Sequence, residues 1–342
     1  MEYLRTCRRR SVPIGLALVA GLIMAASGVQ AAGGGGHNTF SGQATVVKAT
    51  VLGVGAVLAD TGPLPSSGGA QEASLLEANV PGLLTAQVLH ASTIGQGDRS
   101  RSEASVANVV LTVGGNTISA DFLQARATAV CQPGGAAASG SSEIVNLVVN
   151  GQAVVVSGAP NQTVALPVGT IVINEQSSTV SKRSADITVN ALHVVIPDLA
   201  DVVIASAHAD IGCGGGPCDG QDFVTGGGWI TGTPGGAKGT FGVAGGIKNG
   251  SLWGHLTYID HGAGGPKVKG TGVTSYTVLS PTMRRIEGTA QIDGVGGFTY
   301  RVDVADNGEP GRNDTFDLSL SNGYAAAGNL AGGNIQLHQP CQ

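Results

Sequence analysis

The sequence predicts an all-β protein: two antiparallel β domains of sandwich or small-barrel type, joined by a Gly-rich linker. Three observations carry that prediction. Apolar runs rich in Val, Ile and Leu are short, and turn residues separate them at hairpin spacing. Asn150-Gly151 sits between Leu147-Val148-Val149 and Ala153-Val154-Val155-Val156, a strong short-range hairpin signal. Pro63, Pro65, Pro81, Pro160, Pro167 and Pro197 fall between the runs, as strand interiors require.

In the first domain, strands are expected over residues 44–58 and 83–90. Val109-Val110-Leu111-Thr112-Val113 then turns through Gly114-Gly115-Asn116 into Thr117-Ile118-Ser119-Ala120. After the Asn150-Gly151 hairpin come runs at 169–174, 186–196 and 202–211. Residues 72–79 contain the helix formers Ala, Glu and Leu, but Gly69 and Pro81 leave room for only two turns; a short helix is one reading of them. Residues 132–142, rich in Gly, Ala and Ser, read as a loop.

Gly212-Cys213-Gly214-Gly215-Gly216-Pro217-Cys218 is the clearest linker, and composition shifts across it. Ten of the thirteen aromatics follow it, Trp229 and Trp253 among them. The domains are therefore set at 32–213 and 218–342, with 214–217 between them. Short strands at 240–243, 251–259, 270–278, 285–292, 298–304, 315–320 and 328–337 fill the second domain. No fixed-period repeat links the segments, which disfavours a solenoid.

Residues 1–31 read as a secretory signal peptide. Arg5, Arg8, Arg9 and Arg10 precede an uncharged apolar run from 12 to 27, and Val29-Gln30-Ala31 supplies a small-x-small cleavage site. Losing four arginines and one glutamate leaves 14 basic and 22 acidic residues, a net charge of −8. Such a chain is a poor partner for nucleic acid or anionic membrane, and 42% hydrophobic content excludes a disordered charged tail. The C-terminal Gln339-Pro340-Cys341-Gln342 does not resemble a membrane or sorting tail.

Export makes the four remaining cysteines, Cys131, Cys213, Cys218 and Cys341, read as two disulfides. Of the three pairings, Cys131–Cys213 within the first domain and Cys218–Cys341 across the second are expected. Each closes a long loop and so constrains the unfolded chain most.

Three stretches of the first domain belong together: Asp60-Thr61-Gly62-Pro63-Leu64-Pro65, Thr93-Ile94-Gly95-Gln96-Gly97-Asp98 with 99–105 behind it, and Ile173-Asn174-Glu175-Gln176. With them the first domain resembles the bacterial choice-of-anchor P family. The second domain is similar to the glycine-rich domain that often follows it, through Asp222-Phe223-Val224-Thr225-Gly226-Gly227-Gly228-Trp229-Ile230, Leu252-Trp253-Gly254-His255-Leu256 and Asp306-Asn307-Gly308-Glu309-Pro310-Gly311. The resemblance implies an exported surface or extracellular protein without known catalytic residues. It has no recognisable anchor of its own.

Chemistry is sparse. No Gly-x-Ser-x-Gly elbow exists, and every mature cysteine is better used in a bridge. No catalytic residue is assigned. Glu175 after an apolar run reads as a surface or ion-paired residue, though a polysaccharide-acting enzyme would use such a carboxylate with a partner. His90, His193 and His208, with Asp210, read as structural rather than metal-ligating. Trp253, His255 and Tyr258 are the candidate ligand-binding residues, a sugar-stacking platform whose competing reading is aromatic core. Asp303, Asp306, Asn307, Glu309 and Asp314 concentrate oxygens in a turn-rich loop and are the candidate calcium ligands, although Asx residues also build turns. The expected function is adhesive or structural, with an extracellular glycan or matrix protein as partner; a secreted polysaccharide-acting enzyme or carbohydrate-binding protein is the alternative. The expected location is periplasmic or extracellular, at the cell surface in one version.

Overall fold

Twenty-two strands and no helix make up the described residues of the computed structural model, 37–215 and 220–339. The signal-peptide reading, Cys218 and Cys341 fall outside them. No helix among the described residues is long and apolar enough to cross a membrane. Gly35–Gln342 forms one compact unit.

The strands before residue 213 are β1 (Thr39–Val51), β2 (Val54–Asp60), β3 (Gly69–Val80), β4 (Leu84–Gln96), β5 (Arg99–Val113), β6 (Asn116–Gln132), β7 (Gly135–Val145), β8 (Val148–Val149), β9 (Gln152–Ala153), β10 (Gln162–Ala165), β11 (Thr170–Val180), β12 (Ser184–Ile196) and β13 (Ala200–Gly212). After it come β14 (Phe223–Ile230), β15 (Gly239–Lys248), β16 (Ser251–Asp260), β17 (Lys267–Val278), β18 (Met283–Ile292), β19 (Val295–Ala305), β20 (Thr315–Leu320), β21 (Ala325–Asn329) and β22 (Gly332–His338). All pairings are antiparallel. A six-stranded sheet runs β10-β11-β12-β13-β1-β2, and a seven-stranded sheet runs β3-β4-β5-β6-β8-β9 with β7 also on β6. The nine-stranded sheet runs from β21 back through β14 to β22.

The seven-stranded sheet is the middle layer. One face packs on the six-stranded sheet through a core of small and branched residues, among them Ala44, Val46, Leu89, Ala104, Val106, Ala125, Val189 and Ala207. Its other face meets the nine-stranded sheet through Val88, Ala107, Phe122, Trp229 and Ile259. Being covered on both sides, β4 to β6 are buried almost throughout. The nine-stranded sheet curls around its own core, where Phe241 stacks on Phe316 at 4.0 Å.

Two expectations are corrected. Residues 72–79 are strand, not helix: Ala, Glu and Leu favour a helix only weakly, and pairing of β3 with β4 from Gly69↔Gly95 to Val80↔Leu84 overrides that preference. Most of 132–142 belongs to β7, paired with β6 over its whole length. Its small residues serve packing: a Cβ on Gly140 would lie 2.4 Å from Val189 of the neighbouring layer. The Asn150-Gly151 hairpin is present, with both residues at positive φ (51° and 79°), and Cys131 is disulfide-bonded to Cys213.

Glycine lets the second and third layers touch. A Cβ on Gly227 of β14 would meet Ser105 Oγ of β5 at 2.2 Å. Gly227→Ala should therefore cost about 1–3 kcal/mol by overpacking, read as a lowered denaturant midpoint. Adding Ser105→Gly should recover most of the loss; no recovery would mean that the Ser105 contact is not its cause.

Candidate functional site

The seam between the middle and nine-stranded sheets is polar at its centre. On β4 to β6, alternate positions place His90 opposite Ser105, Ser105 opposite Gln124, and Glu103 opposite Arg126; His90, Ser105 and Gln124 face β14, β15 and β16, and Arg126 reaches Glu309. Such a face ordinarily signals solvent; here it is covered.

His90 Nδ1 lies 3.1 Å from His255 Nε2, and His255 Nδ1 lies 2.6 Å from Glu72 Oε2. The second contact sets a carboxylate oxygen against the imidazole without an in-line hydrogen bond. Burial pushes the Glu72 carboxyl up, but His255 and then Lys248 outweigh it and hold the group below its ordinary range. Burial, with His255 adding to it, drives His90 far below the ordinary imidazole value. The buried Nε2 of His90 is left without a hydrogen-bond partner. Ser105 is buried beneath His90 and Gly227, whereas the side chains of His255 and Glu72 stay partly exposed.

Glu103 is the other buried group of the seam. Both carboxyl oxygens lack a hydrogen-bond donor, as does Gln124 Oε1 from its side. Burial raises the Glu103 pKa to about 8; Arg126 and the neighbouring Gln124 side chain pull against that shift, while Glu309 and Asp314 reinforce it. Sequence reasoning missed Glu72 and Glu103. Both sit in strands that carry other polar and charged residues, so no local pattern sets them apart.

Trp253, His255 and Tyr258 do not form one platform. Positions 253 and 255 share one face of β16 and 258 lies on the other, as the strand period of two requires. Tyr258 is fully buried in the nine-stranded core, its hydroxyl 2.7 Å from that of Tyr324. Trp253 packs edge-on against Phe223 at 5.6 Å, with Lys248 over its ring, and His255 is engaged as described.

In the expected calcium loop, each carboxylate oxygen already accepts. Asp303 pairs with Arg285 through both oxygens at 2.7 Å. Asp306 caps the N–H groups of Gly308 and Leu337, and Asp314 those of Asn307 and Ile335. Glu309 accepts from Asn334, Gln336 and Arg126. The Asn307 amide bridges Asn313 O and Thr282. These residues fasten β19, β20 and β22 together, and no metal-holding group of three His, Cys, Asp or Glu occurs among the described residues. The melting temperature should thus be the same in millimolar calcium and in chelator. A rise with calcium, by linkage of binding to folding, would show that these ligands exchange their partners.

The remaining groups lie on the outer face of the six-stranded sheet. Glu175 Oε2 accepts from Asn190 at 2.6 Å and contacts His193 Nδ1 at 2.9 Å, and His193 Nε2 reaches Asp201. His208 Nε2 lies 2.9 Å from Asp186. Burial and the facing Asp186 raise the pKa of Asp210.

A cleft of about 900 Å³ opens where the start of β1, the end of β4 and the β15–β16 turn meet the segment before β14. Its rim carries the amides of Asn38, Gln71, Gln96, Gln221 and Asn249, with Phe40 and Phe223 as aromatic walls. Gln96 clamps the backbone of Gln221 from both sides, donating to its carbonyl at 2.9 Å and accepting from its N–H at 3.0 Å. Lys248 is turned to the Ala70 carbonyl.

No protein-family model matches the chain, and no curated protein does. One solved structure, a Nitrosomonas europaea protein provisionally designated AttH, aligns over 87% of this chain and 92% of its own, at 7% identity and a TM-score of 0.19. A likeness at that level carries no argument about fold or function.

Proposed function

We propose that this chain is an exported, non-catalytic β-protein of the bacterial surface or extracellular space, of the choice-of-anchor type, and that it acts by binding a neutral, hydroxyl-rich ligand such as a glycan. The observation that carries the reading is the amide-rimmed cleft. Amide side chains both donate and accept. Asn38 and Gln96 spend theirs on the backbone of Gly97, Gly214, Gly215 and Gln221, and Gln71 Nε2 donates to Pro63 O. The amides of Gln221 and Asn249 and the Gln71 oxygen, beside the aromatic walls, are the groups left to match hydroxyls without needing charge. The Cys131–Cys213 disulfide supports an oxidising compartment. On this reading Glu175, held by Asn190 and His193, positions its neighbours and does no chemistry.

Glycan-array binding by the mature chain, followed by calorimetry on the hits, tests it. Gln221→Ala and Gln71→Ala should each weaken binding about tenfold, the loss of roughly one well-placed hydrogen bond to a ligand, at unchanged melting temperature. Neutral glycans that fail to bind, or bind equally to both variants, would overturn the reading. So would hydrolytic turnover abolished by Glu175→Gln.

A further inference from the structure

We infer that a second groove, distinct from the amide-rimmed cleft, binds an acidic saccharide through the guanidinium groups of Arg99 and Arg101. The inference stands on its own observations and holds whatever occupies the cleft.

The groove, about 490 Å³, lies between β5, β6, β7 and β22. Arg99 and Arg101 are two positions apart on β5 and so share a face, about 6.7 Å apart along the strand. Arg126 on β6 is the third arginine of the groove, and it is already engaged: Nη1 lies 3.1 Å from Glu309 Oε2 and Nε donates to Ser141 Oγ at 3.3 Å. The other two are not. Among the described residues Arg99 has neither a hydrogen bond nor an ion pair, and Arg101 has a single long contact, Nη1 to Leu337 O at 3.5 Å. Both Nε atoms are buried and without an acceptor.

Two adjacent guanidinium groups with unused donors are costly. A buried N–H without an acceptor forfeits its hydration with nothing in return, and the like charges repel. Burial first, then the charge of Arg99, pulls the Arg101 pKa down to about 10, while Glu309, Asp306 and Asp98 act in the opposite direction from a distance. His338, buried beside both arginines, is kept neutral by its burial and by their charge, so it adds no third positive charge. An oxyanion seated between the two forks would accept from both and relieve the repulsion, as carboxylate and sulfate do in bidentate arginine contacts.

The rest of the groove narrows the ligand class. Thr128, Ser139, Ser141 and Gln336 line it, presenting hydroxyls and an amide suited to sugar hydroxyls. A net charge of −5 for the whole chain repels a dense polyanion at long range. A saccharide bearing at most one carboxylate or sulfate per sugar meets both conditions.

The test uses the full mature chain, with oligogalacturonate and a sparsely sulfated oligosaccharide as probes and neutral maltohexaose as control, in calorimetry at fixed ionic strength. Wild type should bind one or both acidic probes, the pair of probes telling carboxylate from sulfate, and any binding of the neutral control in the cleft should be unchanged by Arg99→Gln. Arg99→Gln should weaken binding at least tenfold, Arg99→Lys should restore it only in part because ammonium cannot form the fork, and Gln221→Ala should leave it unchanged. Protection of wild-type Arg99 and Arg101 from phenylglyoxal by the probes, mapped by mass spectrometry, gives a reading that needs no variant. Absence of binding to both acidic probes at millimolar concentration, equal binding by Arg99→Gln, or absence of protection would each overturn the assignment.

Discussion

Replacing Glu103 by Gln should stabilise the protein, and the gain should grow with pH. An ordinary glutamate titrates near 4.5, whereas burial raises folded Glu103 to about 8. A carboxyl raised on folding contributes stability that is complete below the lower value and is lost as pH climbs to the upper one. Wild type and variant should therefore melt together near pH 4 and separate between pH 5 and 8. Above pH 8 the variant should be ahead by about 2–4 kcal/mol, a difference on the order of 5–10 °C in melting temperature.

The groups facing Glu103 support that sign. Arg126 is the one cation among the groups that shift it, and Arg126 is bonded to Glu309; Glu309 and Asp314 oppose ionisation. Gln124, whose Oε1 lacks a donor, can accept from the protonated carboxyl or from an amide, so Glu103→Gln keeps the donor that neutral Glu103 provides. Asp314 is itself raised to about 7, chiefly by burial, and lends the wild type the same trend. The difference between variant and wild type isolates Glu103. A gain that is constant from pH 5 to 9 in calorimetry, or no gain at all, would show that Glu103 is not held as a neutral acid.

The strand content was legible because Val- and Ile-rich runs, proline placement and the Asn150-Gly151 turn are local signals. So was the Cys131–Cys213 bridge, expected from keeping each bridge within one half of the chain. The order of the layers was not legible. On β4 to β6 the alternation of Val and Ala with His90, Ser92, Glu103, Ser105 and Gln124 is what a solvent-facing sheet produces, yet Gly227 and Gly242 bring β14 and β15 close enough to cover it. The pairing of His90 with His255 spans 165 positions, and nothing short-range encodes it. The separation of Tyr258 from Trp253 and His255 was available from the strand period alone, once β16 was taken as a single unbroken strand. For the loop around 306–314, oxygen-rich composition suits both a cation and backbone capping. Only the positions of the Ile335 and Leu337 N–H groups decide which partners Asp314 and Asp306 take.

Removing the bridge with Cys131→Ser and Cys213→Ser together should cost about 2–4 kcal/mol, against an upper figure of about 4.5 kcal/mol from loop-closure entropy. The bonded cysteines are 82 positions apart, so the unfolded chain gains a large loop's freedom when they are freed. In the folded state the bridge joins the end of β6 to the residue after β13, and thus the middle sheet to the six-stranded one. Backbone bonds hold each end in place without it: Cys131 N–H donates to Asp98 O at 2.8 Å and Cys213 N–H to Arg183 O at 2.7 Å. The variant should therefore fold to the same structure and melt about 5–10 °C lower, with amide exchange rising first at the ends of β6 and β13. A double variant that melts within a degree of wild type would mean that the native packing of the two sheets already supplies the constraint. Wild type melted in reductant adds a comparison with the remaining cysteines. It should match the double variant if Cys218 and Cys341 carry no bridge, and fall below it if they close the second half of the chain, since reduction would then free a second and longer loop.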